Sequence, residues 1–464
     1  MYGFQFPEGF ILGTANSAFQ SEGACERDGK SENIMESYAK MYGGKYCPGV
    51  DPETAKAKGV KPYSKDLPEQ GCFFYDHYEE YIEDMKKTGQ DAYRMSLSWC
   101  RILPDGTGEV NPKGIAFYNK VIDKLVECGI KPFVDLYHWD LPQCLQDRGG
   151  FANPEFPQWF EDFARICFAA FGDRVAFWST FNEPSIFIRG GLWNGTFPPF
   201  VRDIPQAIQA AHNVVIAHFR AVRAYREMGF TGKIGSVNCT SAVHPARMVK
   251  EDLDAVAYQY AVGFDLFIEP MVYGHYPQRM IEELPIYRQH LPENFQEDLD
   301  KWYAPMDFIG LNYYVSGRTR FNPDVPNRSS GAPSFYSNPG QWNAPYPAGM
   351  IDVLQYFKAK YPDMPIIITE NGCSFFNEFD AEKECDDEDR VMYLREHLRM
   401  VIRCIRAGIN LQGYFYWNDA DSFEEMEGYN LRFGLTWVDH ATGERRWKKS
   451  RHFYSEVCHS RMVN

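Results

Sequence analysis

The chain has 464 residues, 44% hydrophobic and 24% charged, with 48 Lys and Arg against 63 Asp and Glu for a net charge of -15. That balance excludes a disordered chain and argues against nucleic acid or an anionic membrane as partner, leaving a neutral or cationic small molecule. No apolar run is long enough to span a bilayer, Met1 to Glu8 lacks a signal-peptide pattern, and the 12 cysteines show no C-x-x-C pair or zinc spacing, so a cytoplasmic protein with no metal and no cofactor is expected.

In chain order, residues 9 to 18 read as a first strand, and Ser31 to Gln70, rich in Gly, Pro and Lys, as a long surface loop. Phe74, Tyr78, Tyr81 and Met85 fall at helical spacing, Gly89 stops the pattern, and residues 92 to 99 form the next strand. Ile115, Tyr118, Ile122 and Leu125 repeat the helical face, with Gly129 as the stop and residues 131 to 139 as the strand. Further strands are expected near 176 to 182, 233 to 239, 307 to 314, 365 to 370 and 411 to 417, with Gly229 and Gly408 punctuating between them. A second long loop, Phe321 to Pro347, follows the sixth strand.

Alternation of strand and helix calls for a parallel sheet, because parallel neighbours need a crossover connection. Eight such strands fit an α/β fold of the (β/α)8 TIM-barrel type, with residues 1 to 464 as one domain bearing long βα loops. A doubly wound open sheet shares the same pattern, and the motifs decide between them. A barrel places its chemistry at the carboxyl ends of its strands. The fourth strand ends in Thr180-Phe181-Asn182-Glu183-Pro184 and the seventh in Thr369-Glu370-Asn371-Gly372. Each delivers one glutamate to the same rim, and cleaving a glycosidic bond needs two carboxyl groups flanking the anomeric carbon. The other strand ends add Gln20 and Glu22, Arg94, His138 and Trp139, Asn312 and Tyr314, and Trp417. These are hydrogen-bonding groups and aromatic faces of the kind that hold a sugar.

With these motifs, together with Phe6-Pro7, Tyr93-Arg94-Met95-Ser96, His138-Trp139-Asp140-Leu141-Pro142 and Glu427-Gly428-Tyr429, the chain resembles glycoside hydrolase family 1, the β-glucosidase family, from Phe6 to about Phe453. The resemblance implies a retaining β-glycosidase acting on a small-molecule β-glycoside, with Glu370 as nucleophile and Glu183 as general acid/base. It places Arg94 and Tyr314 beside the nucleophile. Asn182 is expected at the sugar's 2-hydroxyl, Gln20, His138 and Glu424 at the 3-, 4- and 6-hydroxyls, and Trp417 under the ring. Asn312 belongs to the same rim, Phe433 lies near the 6-hydroxyl, and Trp342, in the second long loop, stacks on the leaving group.

The sequence departs from the family pattern after strand eight, where Glu425 stands in place of the customary tryptophan and is expected to face the sugar beside Glu424. A 6-phospho-β-glycosidase is the natural alternative. However, Glu424, Leu431 and Phe433 stand where that branch needs a serine, a lysine and a tyrosine around the phosphate. A non-catalytic sugar-binding relative is the other alternative, and it should lack one of the two glutamates, both of which are present.

Overall fold

The computed structural model describes residues 3–46, 51–57, 69–333, 345–374, 385–424 and 427–464. Eight strands form the barrel: β1 (Ile11–Ala15), β2 (Ala92–Ser96), β3 (Lys131–Tyr137), β4 (Phe177–Asn182), β5 (Lys233–Pro245), β6 (Phe308–Phe321), β7 (Ile366–Asn371) and β8 (Leu411–Trp417). Each pairs in parallel with the next in sequence, and β8 pairs with β1. The sheet therefore closes, which removes both of its edges. The open-sheet alternative is excluded.

The helices end where the sequence predicts. Helix Phe74–Thr88 buries Phe74, Tyr81, Ile82 and Met85 and carries Lys86 and Lys87 in its last turn, where cations suit the helix dipole. Gly89 caps it at φ 78°, in the left-handed region that costs glycine least. Helix Pro112–Glu127 starts on an Asn111 cap with Pro112 at its first position, and it buries Tyr118, Ile122 and Leu125.

Two segments depart from the loop reading. Within 31–70, residues Ile34–Tyr42 form a helix with a capping box, Asn33 bonding the Glu36 N–H and Glu36 bonding back to Asn33. The Asn-x-x-Glu signal was present in the sequence. After the sixth strand, Ser329–Ala332 pairs antiparallel with the outer end of β6. Strands β5 and β6 also run past the expected ends, paired as far as Pro245 with Thr319, so a two-stranded wall stands above the rim.

The barrel interior is packed with aromatic rings. Phe133 meets Phe177, Phe308 and Phe415 at centroid distances of 5.6, 5.6 and 5.5 Å, forming a rigid floor. The Arg94 guanidinium carbon lies 5.9 Å from the centre of the Phe133 ring.

Candidate active site

The two glutamates reach the rim by different backbone routes. Glu370 is still on β7 and pairs in register opposite Asn312 of β6. Asn371 locks that end, donating to Tyr313 O at 2.6 Å and to Tyr393 at 2.8 Å, and accepting from Tyr414 at 2.8 Å. Gly372 follows because nothing larger fits: a Cβ there would lie 1.8 Å from the Trp417 carbonyl oxygen. Glu183 lies one residue beyond β4 at φ 54°, ψ 56°, and its N–H donates to Val237 O at 2.8 Å. A left-handed conformation is unfavourable for a non-glycine residue by about 1–2 kcal/mol. Trp139, just past β3, adopts the same region at φ 73°.

Arg94 is the hub beneath these groups. Its Nη1 donates to Glu370 Oε1 at 2.6 Å and to Thr369 O at 3.2 Å. Its Nη2 donates to Asn182 Oδ1 at 2.8 Å and forms an ion pair with Asp135 Oδ2 at 2.7 Å. Tyr314 OH donates to Glu370 Oε2 at 2.6 Å, so each Glu370 oxygen receives a donor. Burial, reinforced by the Glu370 carboxylate, drives the Tyr314 phenol well above its ordinary value, and the group remains a donor at any working pH. Burial opposes charge on Asp135, yet the Arg94 cation and a bond from Ser179 at 2.6 Å leave its carboxyl below the usual range.

The side-chain amides take fixed orientations from this hub. Arginine can only donate, so Asn182 presents its oxygen to Arg94 and its NH2 to His138 Nε2, 3.0 Å away. His138 therefore accepts at Nε2 and carries its proton on Nδ1, 3.6 Å from Asp135 Oδ2. Asn312 accepts from Thr369 Oγ1 at 2.7 Å and donates to Asn182 Oδ1 at 3.1 Å and to Glu183 Oε1 at 2.9 Å. A chain of oriented dipoles thus runs from Glu370 through Arg94, Asn182 and Asn312 to Glu183.

Above the hub lies a cavity of about 260 Å³ lined by Gln20, His138, Asn182, Glu183, Tyr314, Glu370, Trp417, Glu424 and Phe433, all expected from the sequence. Arg94 and Asn312 are fully buried beneath it. Gln20 donates to Phe423 O at 2.8 Å and accepts from Ser17 at 2.7 Å, which orients its amide. Trp417 stacks on His138, with ring centres 5.5 Å apart and planes 19° apart. Trp342 and Glu425 lie outside the described residues.

Trp139 and Leu431, which the sequence placed at the rim and at the 6-position, also line the cavity, whereas the sequence reading missed Phe197 and Glu427 as lining residues and Asp135 as the second anion on Arg94. Trp139 donates to Asn182 O at 3.1 Å and meets Phe197 edge-on at 5.4 Å, making an aromatic corner. A charged residue inside the apolar run 132–139 was the available signal for Asp135, since buried carboxylates need a partner.

The pattern of glycosyl hydrolase family 1 matches residues 3–462. Beta-glucosidase A of Thermotoga maritima is 38% identical over 454 residues, spanning 98% of this chain and 97% of that protein. The 1,4-beta-D-glucan glucohydrolase of Thermotoga neapolitana is 37% identical over 454 residues, spanning 98% of each. Among solved structures, the family 1 b-glucosidase from Thermotoga maritima superposes with a TM-score of 0.90 at 37% identity, covering 100% of both chains. Matched along nearly its whole length in both sequence and structure, this chain belongs to glycosyl hydrolase family 1.

Proposed function

We propose that this chain is a retaining β-glycosidase of β-glucosidase type, releasing terminal non-reducing β-D-glycosyl residues, with Glu370 as nucleophile and Glu183 as general acid/base. The observation that carries this reading is the unequal setting of the two strand-end carboxylates. Both oxygens of Glu370 are held, by a guanidinium and by a phenol, which aims an anionic nucleophile. Glu183 instead accepts from the neutral Asn312 amide, a partner compatible with losing and regaining a proton. Residues 1 to 464 act as one catalytic domain, and the buried free cysteines among the described residues suit a reducing cytoplasm.

In the first step a Glu370 oxygen attacks the anomeric carbon, the bond to the aglycone oxygen breaks, and the Glu183 proton passes to that oxygen. In the second, water attacks the glycosyl ester and gives its proton to Glu183, releasing the sugar with its β configuration and freeing Glu370. Asn182 gives one amide hydrogen to His138 and keeps the other for the sugar's 2-hydroxyl. Gln20 keeps one N–H and one lone pair for the hydroxyls opposite. Trp417 supplies the ring's apolar floor, with Glu424 and Phe433 beside the 6-hydroxyl. The sugar oxygens are thereby matched by groups already oriented before binding.

Trapping tests the reading. A 2-deoxy-2-fluoro β-glucoside with a good leaving group is expected to leave one glycosyl unit on Glu370, found by intact mass and peptide mapping. A stable adduct on another residue, or burst-free turnover with no adduct, overturns the assignment.

A further inference from the structure

Successive residues along a barrel strand face alternately inward and outward. Val237 of β5 and Phe308 of β6 pack in the interior cluster with Phe133 and Phe415, so Cys239 and Asn312, at even spacing beyond them, face inward as well. Cys239 pairs in register with Asn312, and Asn312 with Glu370, which sets the three in one row across β5, β6 and β7. Glu183 closes that row on the β4 side. Its N–H donates at 2.8 Å to the carbonyl of Val237, two residues before Cys239 on the same strand.

The two inward side chains that this row sets next to Glu183 are neutral. Asn312 donates to Glu183 Oε1 at 2.9 Å. Cys239 is a half-buried free thiol. Burial, reinforced by the charges of Glu183 and Glu370 and by a hydrogen bond to the Glu183 carboxylate, pushes the thiol well up, so it stays an S–H donor throughout the working range. Among the described residues, the other titratable groups around the cavity are Glu370 on β7, Tyr314 on β6, His138 just past β3, and Glu424 and Glu427 after β8. Arg94, from β2, reaches Glu370 and Asn182 beneath it. All of these stay the same when Cys239 alone is changed.

We propose that Cys239 is a positioning residue for the general acid/base: its thiol holds the Glu183 carboxyl by a weak S–H bond that fixes the side chain yet lets it keep its proton into the neutral range. This rests on the reading of Glu183 as the acid/base. Hydrogen bonds to a carboxylate favour its charged form, and strong ones drive the proton off. Sulfur is a weak donor, so a thiol stabilises the anion less than a hydroxyl in the same place would. A group that must protonate a leaving oxygen and later take a proton from water works best when it titrates near the working pH. A neutral amide and a thiol meet that need better than a cation. Glu370, which works as an anion, receives a guanidinium and a phenol instead.

The test is the pH profile of kcat/KM for a nitrophenyl β-glucoside. Cys239→Ser keeps the shape and strengthens the donor, and its alkaline limb is expected to fall below that of the wild type by about half a pH unit or more. Cys239→Ala removes the donor, and its limb is expected not to fall. A limb unmoved in Cys239→Ser, or one that falls equally in Cys239→Ala, overturns the proposal. Glu183→Gln separates it from the reading beneath it. A limb that persists in Glu183→Gln removes Glu183 as the acid/base, whereas a limb lost there but unmoved in Cys239→Ser removes only the role of Cys239. If a Cys239 variant fails to fold, an infrared difference titration of the wild type decides. The S–H stretching band is expected to move to lower frequency with the midpoint of the alkaline limb, and not to move in Glu183→Gln. A band that ignores the titration in the wild type overturns the proposal.

Discussion

Arg94 and Glu370, on strands separated by β1 and β8, meet at 2.6 Å across the barrel with both side chains buried. The same guanidinium pairs with Asp135 at 2.7 Å, so one cation serves two buried carboxylates. Arg94→Met leaves both without it. Removing one partner of a buried pair costs about 3–5 kcal/mol, and a loss of that order is expected in chemical denaturation at pH 7, with turnover lost as well. The sign with pH follows from Asp135, whose carboxyl the cation holds low. Its contribution is present above the unfolded value near 3.8 and is lost as pH falls through the lower folded value. The stability gap between wild type and Arg94→Met should therefore narrow below about pH 4. A gap independent of pH would show that Asp135 does not depend on Arg94.

Glu183→Gln keeps the bulk and removes the transferable proton. Aryl glucosides with poor leaving groups are expected to slow by about 10²–10⁴-fold, while those with highly acidic phenols slow far less in the first step. Pre-steady-state rates for a series of substituted phenyl glucosides measure this. Equal slowing across the series counts against the acid/base role.

Asp140 lies next to Trp139 and is buried at 1% exposure, and among the described residues no other residue donates a hydrogen bond to either carboxylate oxygen. Burial, only partly offset by Lys30, pushes its carboxyl up to about 7. Because the folded value is raised, the stabilisation is present at low pH and is lost as pH rises through about 7. Asp140→Asn abolishes that dependence. Its stability relative to wild type should improve by up to about 2 kcal/mol between pH 5 and pH 7, read from urea melts at each pH. A constant difference would mean that Asp140 stays ionised in the fold.

The catalytic cavity is lined by Glu183, Glu370, Glu424 and Glu427 and, among the described residues, by no lysine or arginine. A phosphate dianion on the sugar's 6-oxygen would meet repulsion from several carboxylates at short range. An aryl 6-phospho-β-glucoside is expected to have kcat/KM at least about 10³-fold below that of the unphosphorylated substrate, since a few kcal/mol of repulsion suffices. Comparable values for the two would overturn the preference for the neutral sugar.

The places of the barrel strands, the glycine stops at Gly89, Gly129, Gly229 and Gly408, and the positions of Glu183 and Glu370 were legible in the sequence. Each depends on a local signal: a run of apolar residues, a residue able to adopt positive φ, or a short motif at a strand end. The helix at Ile34–Tyr42 was legible in principle through Asn33 and Glu36, but the surrounding glycines and lysines outweighed that signal. The left-handed backbone at Glu183 and Trp139 was not, because neither is a residue that seeks it, and tertiary contacts such as the bond to Val237 O hold Glu183 there. Nor did local pattern show that Asp135, three residues before His138, would share Arg94 with Glu370, or that Phe197 would turn onto Trp139. The sequence by itself determined the family, the barrel and the two carboxylates, because these follow from short-range patterns along the chain. Only the tertiary structure decided which donors each carboxylate receives and which amide faces which partner, because those depend on distances between residues that closure of the barrel brings together from far apart in the chain.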